Sequence, residues 1–502
     1  MTPEEYSAEE FADLPRAKIM RALWLSIGAG AFGSAFFQLT IGVIFVGFAL
    51  ALGASNLQIG FLTSTLPLGG LAQLFASYLI QRTGRRRLLF MASYLISRSL
   101  WLLVILVPLL IPEEHADHRI PAVFAILLVS NLLHALGSNA WLSWMGDLIP
   151  GDIRARFFGT RQAITTATGM ATGLLAGKYM DWWETGVVKG SREHFLGFAT
   201  LFGAAVALGV LDILIYRFIP HPRVHRDADP PVFRETLGKV LKNRNFRRLV
   251  LLFAWWYVAT GIAIPFFNVY FREDLHLKYT TITWFGIASG VVFIGMSYLW
   301  GRVVHLVGSK SILGVSFLLA GLGPMMYIFT TPERIWPVLL AFVIGSMGWA
   351  ATFMLSMNLT IALSPRVERP VYLAWFFAVT GTVTACSYAL GGQIAEWLTP
   401  VSFSLFGFRV AHLQVLFVLT GILRASCVIP LLGIVDVERP PKGYMVLRAL
   451  ETRMPFRVFL DAYRLLQTRV RQRNRNAGPA DSTDKNGKAR TRGPTPPENR
   501  DT

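Results

Sequence analysis

Ser77-Tyr-Leu-Ile-Gln81-Arg82-Thr-Gly84-Arg85-Arg86 and Gly301-Arg-Val-Val-His305-Leu306-Val-Gly308-Ser-Lys310 share one spacing at an offset of 224 residues. In each, a small residue is followed four positions later by a polar side chain. A glycine stands at the seventh position after it, with a basic residue close behind. Each stretch lies between two long apolar segments. A second pair recurs at offset 215: Pro150 and Arg154 in Asp147-Leu-Ile-Pro-Gly-Asp-Ile-Arg, against Pro365 and Arg369 in Ser364-Pro-Arg-Val-Glu-Arg. A chain whose halves repeat the same connecting loops is built as two copies of one helical bundle.

Composition says what kind of bundle. Of 502 residues, 53% are apolar and only 16% charged, with 36 Phe, which excludes an ordinary set of soluble domains. Twelve apolar runs are long enough to cross a hydrocarbon core of about 30 Å as helices. They cover 19–51, 57–80, 88–111, 121–146, 155–178, 195–218, 247–271, 280–300, 311–330, 336–361, 371–397 and 410–434. The alternation of barrel strands is absent. The fold class read from this is an all-α integral membrane protein, with twelve transmembrane helices in two pseudo-symmetric six-helix bundles.

The domain plan follows. Residues 1–18 form an amino-terminal segment, 19–218 the first bundle, 219–246 a polar, Pro-rich linker, and 247–434 the second bundle. Residues 435–473 space Leu447, Leu450, Met454, Phe459, Tyr463, Leu466 and Val470 among arginines at helical intervals, as a basic amphipathic helix on a membrane surface would. Residues 474–502 are almost free of apolar side chains and are expected to be disordered. The opening stretch carries Glu4, Glu5, Glu9, Glu10 and Asp13 in place of a basic n-region, so no signal peptide is expected. Cys386 and Cys427 both fall inside apolar runs, where a disulfide framework is not expected.

The net charge of +18 is not spread evenly. Leaving the tails aside, alternate loops hold eighteen Lys/Arg, at 82–87, 154–156, 223–248, 302–310 and 366–369, and the opposite loops hold eight. Basic loops stay cytoplasmic, so both termini and the linker are assigned to the cytoplasmic side of a cell inner membrane. The excess marks orientation and contact of the tail with anionic lipid, not a nucleic-acid partner.

The first loop resembles the signature of the major facilitator superfamily between helices two and three, Gly-x-x-x-Asp-Arg-x-Gly-Arg-Arg. Arg82, Gly84, Arg85 and Arg86 match it, while Ser77 stands for Gly and Gln81 for Asp. The copy at Gly301 to Lys310 and the turn at Asp147 to Arg154 lie where that family has theirs. The resemblance covers 19–434 and implies a transporter working by alternating access. It implies a cytoplasmic gate built from Arg82, Gly84, Arg85, Asp147, Arg154, Gly301, Gly308, Lys310 and Arg369, with Asp147 as the local partner of the arginines. Drug-proton antiporters of the family carry a Gly-Pro motif in helix five; Gly169, Gly173 and Gly177 stand there without the proline and read as a close-packing face.

Charge is scarce in the spans. Arg98 and Asp212 are the deep opposite charges of the first half, on helices that the resemblance places away from the cavity, so they are read as a structural ion pair. Arg424 has no carboxylate candidate in its half. The resemblance puts the cavity between helices one, four, seven and ten. Helix four there offers Asn131, His134, Ser138 and Trp141 within an arc of about 80°. Adding 215 gives Ser346, Trp349, Phe353 and Ser356 on helix ten. Helix one adds Ser34 and Gln38; helix seven adds Tyr257 and Asn268, with Pro265 to kink it. Amides and hydroxyls interleaved with rings suit a neutral polar solute, sugar-like or nucleoside-like. Ordinary helix–helix hydrogen bonding is the other reading of the same residues. Export of an amphipathic compound, or a non-transporting sensor or lipid-handling protein of the same fold, are the alternatives in function.

No zinc-protease, nucleophile-elbow or phosphate-loop motif is present, and His115 and His118 alone are a weak metal signal. No enzyme activity, cofactor or metal is expected, and the chain is expected to act as a monomer. Cavity-lining helices one, four, seven and ten hold no Asp or Glu within their spans, and His134 is the one titratable candidate.

Overall fold

In hydrocarbon every backbone N–H and C=O needs a partner within the protein, which leaves helices as the way for these apolar runs to cross. The computed structural model of the chain describes residues 5–6, 15–150, 152–222, 242–365, 369–405 and 408–433. Span 1 is Arg16–Thr40, resuming after a break as Gly42–Ala51; span 2 is Asn56–Leu68 and Ala72–Thr83, joined by the turn Gly69–Leu71. Spans 3 to 6 are Arg86–Leu110, Arg119–Leu148, Arg154–Trp183 and Arg192–Ile215. Span 7 is Arg244–Gly261 followed by Phe266–Val269. Spans 8 to 11 are Tyr279–Val307, Ser309–Met325, Trp336–Ala362 and Arg369–Leu398. Span 12 is His412–Ser426 with Val428–Leu432.

Ten helices among the described residues are long and apolar enough to cross a membrane. Spans 2 and 5 lie outside that count; span 5 is diluted by Thr165, Thr166, Thr168 and Thr172 and by its glycines. A short antiparallel pair, Ser402–Leu405 with Phe408–Ala411, fills what the sequence left as a loop between spans 11 and 12. The amphipathic helix at 435–473, the tail at 474–502, and most of the linker and of segment 1–18 lie outside the described residues.

The repeated loops have a local cause. Gly84 closes span 2 at φ 66° and Gly308 follows span 8 at φ 83°, backbone conformations that a side chain would strain. The basic residues around them bind the carbonyl ends of helices. Arg87 Nη2 donates to Arg217 O at 2.7 Å, Arg154 Nη2 to Gly146 O at 2.9 Å, and Lys310 Nζ to Leu432 O at 3.0 Å. Cations at helix C-termini meet the negative end of the helix dipole. Arg86, rather than Arg82 or Arg85, reaches Asp147: Nη1 lies 2.5 Å from Oδ2 and also donates to Ser143 O. The sequence expectation paired Asp147 with Arg82 and Arg85; the partner in the structure is Arg86. The third arginine of the loop opens span 3 and faces span 4, whereas Arg82 and Arg85 are exposed. Each of these contacts joins spans within one half.

Packing between the halves is uneven along the membrane normal. Spans 2 and 11 touch closely over Asn56–Leu68, where a Cβ on Gly60 would sit 2.5 Å from Tyr388 O and one on Gly392 2.8 Å from Asn56 O. Contact with span 11 thins over Ala72–Thr83. Spans 5 and 8 meet where a Cβ on Gly177 would lie 3.0 Å from Thr280 N. At this end, opposite the basic loops, buried residues of both halves form one cluster, from Phe45, Trp101 and Phe202 to Phe266, Tyr270 and Phe417. Toward the basic end the core divides. Leu23, Trp144 and Tyr216 belong to one cluster, Phe246, Phe253 and Phe317 to another.

Arg98 and Asp212 lie deep in the first half. Arg98 Nη2 donates to Asp212 Oδ2 at 2.5 Å, with the side chains 2% and 6% exposed. Glycines make the room: a Cβ on Gly33 would fall 2.7 Å from Asp212 Oδ2, and one on Gly209 2.7 Å from Arg98 Cδ. The guanidinium also sits 4.7 Å from the Phe36 ring centre. Removing one partner strands a buried charge, at a cost of about 3–5 kcal/mol. Asp212→Ala should therefore lower the melting temperature of purified protein markedly, and Arg98→Leu with Asp212→Leu should recover much of the loss. A double variant no more stable than Asp212→Ala would show that the pair is not what the charges are there for.

Candidate functional site

Spans 1 and 7 occupy equivalent places in the two halves, and both are interrupted midway. In span 1 the helix stops at Thr40, Ile41 is extended, and Gly42 restarts the chain at φ 69°. In span 7 the helix stops at Gly261 and resumes at Phe266, directly after Pro265, whose ring has no N–H to continue the ladder. Discontinuous helices in corresponding positions mark binding sites in membrane proteins, because unpaired backbone is tolerated only beside a cavity or buried protein.

Both breaks open on one cavity between the halves. Thr40, Ile41 and Gly42 line it from one side, Ile264, Pro265 and Asn268 from the other. Span 2 contributes Thr63 and Thr65, span 3 Trp101, span 4 Asn131 and span 11 Tyr388. Asn131 Nδ2 donates to Thr65 Oγ1 at 3.0 Å, so one amide hydrogen is fixed and the amide oxygen faces outward from that bond. Among the residues lining it, none is Asp, Glu, His, Lys or Arg.

A second cavity lies inside the second half and shares Ile264 and Asn268 with the first. Ser346 and Trp349 line it. Ser346 Oγ is 2.5 Å from Ser289 Oγ, and the Trp349 ring meets Trp256 at 5.3 Å.

The residues read from the sequence therefore separate. Asn131, Asn268, Ser346 and Trp349 face cavities. His134 is held between the Tyr94 and Phe37 rings, at 4.6 and 4.9 Å, inside the first half. The Trp141 indole donates to Tyr216 Oη at 2.8 Å and carries the Arg161 guanidinium over its face. Ser138 bonds its own helix at Ala135 O, and Ser356 does the same at Phe353 O. Tyr257 packs against the second half's core, while Gln38 lies against Gly173 of span 5, where a Cβ would come within 2.7 Å of its amide. The sequence reading missed Thr40, Thr63, Thr65, Trp101 and Tyr388. One signal pointed to them: Gly42 stands in span 1 where Pro265 stands in span 7, at offset 223.

The end opposite the basic loops is closed by charge as well as by packing. Asp181 of span 5 accepts from the backbone N–H groups of Tyr279 and Thr280, at 2.7 and 2.9 Å, and so caps span 8 across the halves. Glu184 accepts from Arg272 Nη2 at 2.6 Å and from Tyr279 Oη at 3.0 Å. His194 Nδ1 accepts from Gly190 N at 3.0 Å, which leaves Nε2 to face Glu184 Oε1 at 3.3 Å. Burial pushes the Glu184 carboxyl up, but the hydrogen bond from His194, the Arg272 charge and the Tyr279 hydroxyl outweigh it and hold it at about 2.

A family model described as Major Facilitator Superfamily matches residues 27–267 and 256–461. A mutant of the nucleoside transporter NupG superposes with a TM-score of 0.63 at 11% identity, covering 83% of this chain and 100% of its own. A D-xylose–proton symporter gives 0.60 at 15% identity, covering 84% and 99%. A bacterial homologue of the human lysosomal transporter Spinster, in an inward-facing and unoccupied conformation, gives 0.60 at 13%, covering 84% and 96%. At such identities the likeness is one of fold. No curated protein sequence matches this one.

The Glu184 cluster has a definite pH signature. Its carboxyl sits at about 2 against an ordinary 4.5, so its stabilisation is complete above 4.5 and lost as pH falls toward 2. Glu184→Gln should lower the melting temperature near neutral pH, with the deficit shrinking over that acid window. A deficit independent of pH would contradict a charged Glu184.

Proposed function

Since the chain belongs to the Major Facilitator Superfamily and is a multi-pass membrane transporter, we propose that it moves a small, neutral, polar solute, sugar-like or nucleoside-like, by alternating access through the central cavity. The observation that carries this is the wall of that cavity. Two amides, Asn131 and Asn268, face it from the two halves beside the Tyr388 hydroxyl and the hydroxyl oxygens of Thr40, Thr63 and Thr65, which donate to their own helices and are left as acceptors, with Trp101 as a ring to stack on. Hydroxyl-bearing solutes are held by such groups, and a site that bonds them rejects analogues lacking them. Solved structures of similar fold include a nucleoside transporter and a D-xylose–proton symporter, which supports the class without naming the solute. Phe45, Val46, Leu62 and Leu66 also line the cavity, so export of an amphipathic compound is the second reading.

In this proposal the basic loops face the cytoplasm of a cell inner membrane, with both termini on that side. The halves run over 19–218 and 247–434, joined by a cytoplasmic linker, and one chain suffices as a monomer. The joined core at the opposite end and the divided core at the basic end support reading this conformation as inward-facing. Arg86–Asp147, Arg154 and Lys310 then act at the cytoplasmic gate by fixing helix ends within each half. The function is transport and not catalysis.

With no Asp, Glu, His, Lys or Arg in the cavity wall, coupling to protons has no ready carrier there, and facilitated diffusion is the simplest scheme. The test is uptake and binding with a panel of labelled sugars and nucleosides. Asn131→Ala and Asn268→Ala should each weaken binding about tenfold, the worth of one good hydrogen bond. His134→Ala should change affinity little and stability more. An imposed pH gradient should hardly alter flux. Unchanged affinity in both Asn variants would remove the central cavity as the site.

A further inference from the structure

Span 6 contains Gly209-Val-Leu-Asp212 and span 12 contains Gly421-Ile-Leu-Arg424, one pattern at offset 212 with its charge reversed. The packing repeats too. Gly209 lies against span 3, with a Cβ there meeting Arg98; Gly421 lies against span 9, with a Cβ there 2.6 Å from Gly321 O. In the first half span 3 answers Asp212 with Arg98. In the second half span 9 answers Arg424 only with a carbonyl: Nη1 donates to Ala320 O at 3.2 Å. Spans 8, 9, 10 and 12 contain no Asp or Glu.

Arg424 is 3% exposed and lines the cavity of the second half. Two of its nitrogens, Nε and Nη2, are buried without a hydrogen-bond partner. Those two atoms form one edge of the guanidinium, the edge that grips two oxygens of a carboxylate or phosphate in parallel. Burying a guanidinium with that edge unmet is costly, and intramembrane charges without a structural partner mark ligand sites. Asn268 and Trp349 bring N–H groups to the same cavity wall, whereas the Ser346 hydroxyl already donates to Phe342 O at 2.6 Å.

We propose that this cavity is a binding site for an oxyanion, a carboxylate or phosphate group, which Arg424 holds through its Nε/Nη2 edge. Because the cavity shares Ile264 and Asn268 with the central one, the anion is either an acid group carried by a solute whose hydroxyl-bearing part sits in the central cavity, or a separate inorganic ion beside it. Only that assignment of origin rests on the transport reading; the site itself does not.

Thermal stabilisation of the full-length protein in detergent tests it, with inorganic phosphate, gluconate against glucose, and uridine monophosphate against uridine. At least one anion should act at a concentration about tenfold below its neutral counterpart, or below sodium chloride in the case of phosphate. Response to phosphate alone assigns a free anion; response to gluconate or the nucleotide but not phosphate assigns an acid group of the solute. Arg424→Gln should abolish the preference. Arg424→Lys, which keeps the charge but not the fork, should lose about tenfold of it and decides the matter if the Gln variant does not fold. No anion preference in the wild type, or a preference unchanged in Arg424→Lys, overturns the proposal. Binding is read without a bilayer, so absence of flux would tell against the transport reading and leave this site standing.

Discussion

Everything in this molecule answers to one constraint: in hydrocarbon a backbone N–H or C=O has no water to fall back on. That forces the chain to cross as helices and makes any interruption of a helix expensive. The chain places interruptions midway along spans 1 and 7, at Ile41–Gly42 and at Ile262–Pro265, and both face the cavity between the halves. A duplicated bundle thus brings its two weakest backbone points to one place. Polar side chains from spans 2, 4 and 11 gather around them, so the site follows from backbone as much as from side-chain chemistry.

The same economy governs the two ends. At the basic end, arginines and a lysine bind the carbonyl termini of helices within each half, and the apolar core is split between the halves. At the other end a continuous core, close glycine contacts and the Asp181 and Glu184 bonds to span 8 tie the halves together. Two bundles joined at one end and divided at the other are suited to rocking about the cavity. The charges inside the spans divide likewise. Asp212 is satisfied by Arg98, whereas its counterpart Arg424 opens on a cavity.

Much of the fold was legible because its signals are local. The loops at 77–86 and 301–310 repeat since each needs a residue at positive φ after a helix, and Gly84 and Gly308 supply it. The site was less legible. A helical projection tells which residues share a face of span 4, not which neighbour that face meets. Asn131 reaches the cavity, yet His134 and Trp141 turn to Tyr94 and Tyr216 in their own bundle. Thr63, Thr65 and Tyr388 could not be ranked from sequence, since spans 2 and 11 enter the wall only through the close approach that Gly60 and Gly392 permit. Asp147 was given the wrong arginine for a similar reason: consecutive arginines at a helix start point in different directions, and only the packed neighbour selects Arg86.

The central claim is that the halves must part at the end where they now meet. Lys189 and Glu273 line one small pocket at that end, from opposite halves. Cysteines at these two positions, bridged by a short reducible bifunctional reagent, would hold the halves as they stand. Uptake into proteoliposomes of whichever sugar or nucleoside the protein carries should stop on bridging and return on reduction. Undiminished flux through the bridged protein would contradict the account.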